Sequence, residues 1–150
     1  MHFKYLLAIQ LSHLILAIRL RPSISSSLAF TSASPLSPST HARLTTLSQI
    51  YSAPLQTDGK FVFPNVTEGS YLFEIYCHSY FFAPLRVDVE ESKDTDNLEE
   101  VQVWETFRGN EWENKGRKVP IRIEGQGKNK IYHFEVQSLA TKKYIIERPG

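Results

Sequence analysis

Residues 57–75 read TDGKFVFPNVTEGSYLFEI, two apolar runs separated by a short polar break. The second run continues as SYLFEIYC (70–77), in which Tyr71, Phe73, Ile75 and Cys77 fall on one face and Leu72, Glu74 and Tyr76 on the other. A repeat of two is the period of a strand, because successive side chains leave a pleated backbone on opposite sides. Asp58-Gly59 supplies a turn ahead of the first run, and Thr67-Glu68-Gly69 turns the chain before the second. Pro64 has no N–H to give to a ladder, so KFVFPNV (60–66) reads as a strand at a sheet edge or near its end.

The same period extends on both sides. ARLTTLSQ (42–49) alternates weakly, and LRVDVE (85–90) alternates strictly, with Leu85, Val87 and Val89 inward and Arg86, Asp88 and Glu90 outward. VQVWETF (101–107), VPIRI (119–123) and IYHFEV (131–136) read as further strands, the last two separated by the glycine-rich turn EGQGKNK (124–130). Six to eight short strands without a helical period predict an all-β domain, a small antiparallel sandwich that buries the alternating faces against each other. A small closed barrel is the alternative.

The chain has 150 residues, of which 41% are hydrophobic and 22% charged, a globular composition sufficient for one domain. Its formal net charge of +1 gives no field to steer a polyanion, and the short basic turns are too sparse for a nucleic-acid track. Cys77 is the only cysteine, which excludes a disulfide within the chain. At the N-terminus an apolar run, Tyr5 to Ile18, follows Lys4 and is closed by Arg19 and Arg21. Its 14 residues are short of the roughly 20 that span a bilayer and match the apolar region of a secretory signal peptide. The expected organisation is therefore a signal peptide or hydrophobic leader over 1–21, a Ser/Pro-rich leader or irregular first strand over 22–40, and the sandwich over 41–150.

Candidate chemistry is sparse. Asn65-Val66-Thr67 is an acceptor triplet for N-glycosylation, with Asn65 expected to face solvent; the alternative is an asparagine that shapes the turn by bonding to nearby backbone. Cys77 and His78 are neighbours on a strand and point apart, so Cys77 reads as a core residue and not as a nucleophile. No spaced His/Cys set predicts a metal. The acidic run from Glu90 to Glu100 lacks the ligand spacing of a calcium loop. Glu105, Glu111 and Glu113 have nothing to fix a carboxylate separation, and GQGKNK (125–130) lacks the Gly-Lys-Ser/Thr ending of a phosphate loop. The expectation is no catalytic residue, no cofactor and no metal. Aromatics near Tyr80 and Trp112 raise the alternative of a secreted sugar- or peptide-binding module.

TDG (57–59), the pattern of Phe61, Phe63, Asn65-Val66 and Gly69-Ser70-Tyr71, the step Tyr80-Phe81-Phe82, PLRVDV (84–89) and KYIIERPG (143–150) closely resemble subunit 7 of the endoplasmic reticulum membrane protein complex. The resemblance spans roughly residues 40 to 150. More distantly, it extends to carbohydrate-binding-like and carboxypeptidase-regulatory-like sandwiches. It implies a signal peptide, a lumenal β-sandwich, a membrane helix and a place in an insertase that puts transmembrane segments, tail-anchored proteins among them, into the membrane. The implied partners are the other subunits, with client membrane proteins met indirectly, and the implied role is non-catalytic. Asp58, Gly59 and Gly69 match family turns, while Tyr71, Pro84, Arg86 and Asp88 match family strand positions, all structural. The family's membrane helix is not among these residues, which end at Pro149-Gly150, and RGNEWENKGRK (108–118) is idiosyncratic.

Overall fold

Alternation becomes two-faced strands. Tyr71, Phe73 and Ile75 are buried while Ser70, Glu74 and Tyr76 face away from the core, and Leu85, Val87 and Val89 repeat the pattern one strand over. The computed structural model describes residues 17–25, 36–90, 100–127 and 129–141. They form β1 (Ala17–Ile24), β2 (His41–Thr45), β3 (Ile50–Pro54), β4 (Phe63–Thr67), β5 (Gly69–Tyr76), β6 (Tyr80–Phe82), β7 (Leu85–Val89), β8 (Val101–Glu105), β9 (Lys118–Val119), β10 (Arg122–Glu124), β11 (Ile131–Val136) and β12 (Ser138–Thr141). No helix occurs among the described residues, so none there is long and apolar enough to cross a membrane.

The strands build a sandwich. One sheet has the order β3-β2-β5-β7-β8-β9 and is antiparallel throughout; the other has the order β10-β11-β1-β4; β6 and β12 form a separate ribbon. Phe73 of the large sheet is fully buried and meets Phe63 and Phe134 of the small sheet edge-on, at 6.4 and 5.6 Å between ring centroids. Edge-on contact sets the positive rim of one ring against the negative face of the next. Around this trio lie Leu20, Leu44, Phe61, Val66, Val87 and Val103, all without solvent exposure. Each such side chain contributes about 1.5–3 kcal/mol through burial. Tyr132 of β11 adds a polar tie between the sheets, its hydroxyl donating to Glu100 Oε2 at 2.6 Å just ahead of β8.

The structure differs from the sequence reading in four places. First, Ala17–Arg21, inside the segment read as leader, are part of β1, which continues through Pro22–Ile24 as the first-strand alternative for 22–40 allows. Residues 1–16 and 26–35 of those expected leaders lie outside the described residues. Ile18, Leu20 and Ile24 are buried on one side of β1, so Arg19 and Arg21 are the alternate positions of a strand. Second, β1 pairs with β11 in parallel, from Arg19↔Ile131 to Ile24↔Val136, within an otherwise antiparallel architecture. Third, ARLTTLSQ is not one strand. Thr46 Oγ1 accepts from the N–H groups of Ser48 and Gln49, turning β2 into β3. Fourth, VPIRI divides at Pro120 between β9 of the large sheet and β10 of the small one. Residues 91–99, 128 and 142–150 lie outside the described residues.

Candidate functional site

The marked turn residues serve the backbone. Gly59 has φ of 81°, a left-handed conformation that favours glycine. Its N–H donates to Gln56 O at 2.9 Å, and its carbonyl accepts from Ile24 N–H at 3.1 Å, tying the turn to the end of β1. Asp58 is exposed, and its Oδ1 accepts from the Lys60 N–H. Gly69 starts β5 beneath the Tyr71 ring, where an added Cβ would lie 3.4 Å from ring carbons.

Tyr71 closes the corner between the sheets. Its ring is fully buried and its hydroxyl donates to the Thr67 carbonyl at 2.7 Å. The Tyr51 hydroxyl lies 3.1 Å from Thr67 Oγ1, which also donates to Gln49 Oε1. Burial pushes the Tyr71 hydroxyl pKa up, while the Thr67 hydrogen bond draws that of Tyr51 down. The four side chains pin β3, β4 and β5 together; all are spoken for by one another.

The most charged constellation lies on the outer face of the large sheet. Alternation directs Asp88 outward, yet it is only 5% exposed. Its Oδ1 accepts from Ser70 Oγ at 2.8 Å and from Arg86 Nε at 2.9 Å, and Lys115 Nζ stands 3.8 Å from Oδ2. The idiosyncratic segment 108–118 supplies the cover. The Arg86 guanidinium lies 4.6 Å from the centre of the Trp112 ring and donates to the Trp112 carbonyl. Lys115 Nζ lies 4.9 Å from the centre of the Trp104 ring. The segment is a strap, held on this face by the Asp88 carboxylate and by cation–π contacts on Trp112 and Trp104, and at its end by backbone hydrogen bonds between Glu105 and Gly116 and Arg117. Sequence reasoning found Arg86 and Asp88 but missed Ser70 and Lys115 as their partners. Ser70 follows from the β5–β7 register, Ser70↔Asp88; Lys115 has no local signal. Pro84 is half-buried just before β7, where its carbonyl accepts from Thr106 N–H.

These contacts bear on sugar or peptide stacking. Trp112 gives one ring face to Arg86, and Tyr76 is stacked on His41 at 5.1 Å with Arg43 5.0 Å from its ring centre. The broad platforms are thus partly covered by the domain's own cations. A cleft of about 1190 Å³ lies where the sheets part, floored by Leu85, Val119 and Phe134 and edged by Lys60 and Arg122. His133 borders it, buried, with Nε2 2.7 Å from Glu124 Oε1. Burial lowers the His133 pKa, so it favours the neutral ring that donates to Glu124, and that hydrogen bond lowers the Glu124 pKa in turn.

The remaining candidates are dispersed. Cys77 is buried against the Thr40 hydroxyl and His78 is exposed, so the neighbours do point apart. Glu105 is engaged with Arg117 at 3.1 Å, while Glu111 and Glu113 are exposed. In the GQGKNK stretch, Gly125 and Gly127 have turn conformations, with φ of 91° and 64°. No group of three or more His, Cys, Asp or Glu gathers as a metal site among the described residues. Asn65 is exposed on β4, the outermost strand of the small sheet.

Comparison with known proteins agrees with this geometry. Residues 32–149 match the family model described as ER membrane protein complex subunit 7, beta-sandwich domain. An ER membrane protein complex subunit 7 homolog from Arabidopsis thaliana is 51% identical over 35 residues, a match covering 23% of this chain and 17% of that relative.

Proposed function

Since the chain belongs to the family of ER membrane protein complex subunit 7 β-sandwich domains, we propose that it is a non-catalytic lumenal subunit of that complex. In this role it supports insertion of transmembrane segments, including those of tail-anchored proteins, and meets client proteins only through its neighbours. The observation that carries the reading is the family match over residues 32–149, which takes in most of the sandwich. The chemistry of the domain supports it. Its polar clusters, Tyr51–Thr67–Tyr71 and Arg86–Asp88–Lys115, are consumed in holding strands, a corner and a strap in place. Such a domain offers surfaces, not reactive groups. Its hold on the membrane comes from the other subunits or from a helix of its own gene product.

The test is affinity purification of the tagged endogenous protein from detergent-solubilised membranes. Co-purification of the other subunits in constant proportion is expected; their reproducible absence would refute the reading. A glycan array with the purified protein tests the carbohydrate-binding alternative. Saturable binding lost in Trp112→Ala would favour that alternative.

A further inference from the structure

Asn65-Val66-Thr67 is the only Asn-X-Ser/Thr triplet in the chain, and the fold treats its asparagine in a particular way. Continuing the alternation from buried Phe63 would put Asn65 in the core and Val66 in solvent. The opposite is observed: Val66 has no exposure and Asn65 is exposed. The register explains it. Leu20 pairs with Phe63 and Ile18 with Val66, so Arg19 alone stands opposite both Pro64 and Asn65. This β-bulge adds one residue to β4 and turns two consecutive side chains outward. Beside Asn65, Pro64 has no N–H to offer along the free edge of the sheet. Among the described residues the Asn65 side chain has no hydrogen-bond partner, so the turn-shaping role is not what it does.

We propose that Asn65 carries an N-linked glycan, attached before the domain folds and held outside the sandwich by the bulge. The inference rests on the lumenal placement proposed above. In the transfer, the Asn65 amide nitrogen attacks the anomeric carbon of a polyprenyl-diphosphate-linked oligosaccharide. A carbon–nitrogen bond forms, the carbon–oxygen bond to the diphosphate breaks, the diphosphate leaves with the electron pair, and the amide loses one proton to a base. Timing follows from Thr67. In the folded domain its hydroxyl lies 3.1 Å from the Tyr51 hydroxyl and donates to Gln49 Oε1, so the triplet is free for recognition only while β4 is unpaired. Once folded, the sugar stands along the β4 edge and bars strand addition there, which leaves docking to other surfaces.

The test uses the full chain with a C-terminal epitope tag, translated in the presence of microsomes. Protease protection and mobility before and after peptide N-glycosidase are read from the same sample. A protected product with one enzyme-sensitive mobility step is expected, absent in Asn65→Gln and retained in Thr67→Ser. Folded protein made without microsomes, and so without sugar, should gain none when added to detergent-opened microsomes, whereas the same chain added unfolded should gain it; equal transfer to both would overturn the timing. A protected product without the step would overturn the glycan and leave the lumenal placement standing. An unprotected product would overturn both. A step that survives Asn65→Gln would overturn the site assignment.

Discussion

Replacing Asp88 with alanine tests whether the outer-face cluster holds the strap. The carboxylate makes two short charge-assisted contacts, to Ser70 Oγ at 2.8 Å and Arg86 Nε at 2.9 Å. A hydrogen bond to a charged group contributes about 1.5–3 kcal/mol. Breaking a buried ion pair costs about 3–5 kcal/mol, chiefly through the charge left behind. That charge would be Arg86, whose side chain is 13% exposed and keeps its contacts with the Trp112 carbonyl and ring. These contacts discount the penalty, and the Lys115 pair at 3.8 Å, with the lysine side chain 40% exposed, adds little. The expected loss is about 2–4 kcal/mol, a large part of the roughly 5–15 kcal/mol that holds a domain together. Urea unfolding followed by tryptophan fluorescence measures it as a fall in midpoint at constant slope. Asp88→Leu with Arg86→Met removes both charges and should recover much of the loss. An Asp88→Ala variant within about 0.5 kcal/mol of the parent would show that the carboxylate does not hold the strap, as would a double variant no better than the single one.

Tyr71→Phe removes the hydroxyl that serves the Thr67 carbonyl and should cost about 1–2 kcal/mol in the same unfolding assay, leaving a half-buried acceptor short of a partner. Phe73→Ala empties the centre of the Phe63–Phe73–Phe134 trio and should cost about 3–5 kcal/mol, with the near-ultraviolet dichroism of the aromatic core reduced. Acid should weaken the domain through His133 and Glu124. Burial, reinforced by Arg122 and Lys60 against the pull of Glu124, holds the His133 pKa below 6.5, so the unfolded chain binds the proton first. The stability contributed is full above pH 6.5 and is lost as pH falls through the folded value of His133; the lowered Glu124 pKa continues the decline below pH 4.5. Unfolding midpoints across pH 4–8 should therefore drop on acidification, and His133→Gln should flatten the upper part of that fall.

Period two was legible wherever both faces of a strand have distinct solvents. The faces of β5 and β7 stand where alternation puts them, and Pro64 does lie on an edge strand. Strand β1 was obscured because Ile18-Arg19-Leu20-Arg21 satisfies two patterns at once, the charged end of an apolar leader and an alternating strand. Local sequence cannot separate these; the distant partners β11 and β4 do. The break of VPIRI at Pro120 was hidden for a similar reason, since short apolar runs do not state which sheet they join. At the site, Arg86 and Asp88 were legible as outward residues. The burial of Asp88 was not, because it depends on Trp112 and Lys115 arriving from a polar segment with no periodicity.

The parallel pairing of β1 with β11 places a constraint on biosynthesis. Ribosomes deliver β1 first among the described strands and β11 nearly last. The large sheet can form while translation continues, since β2 through β8 pair with near neighbours in sequence. The small sheet cannot, because its central strand waits for a partner still to be made. During that interval Ile18, Leu20 and Ile24 lack their final neighbours, and the apolar inner face of the large sheet is uncovered. The interval is a window for chaperones to bind.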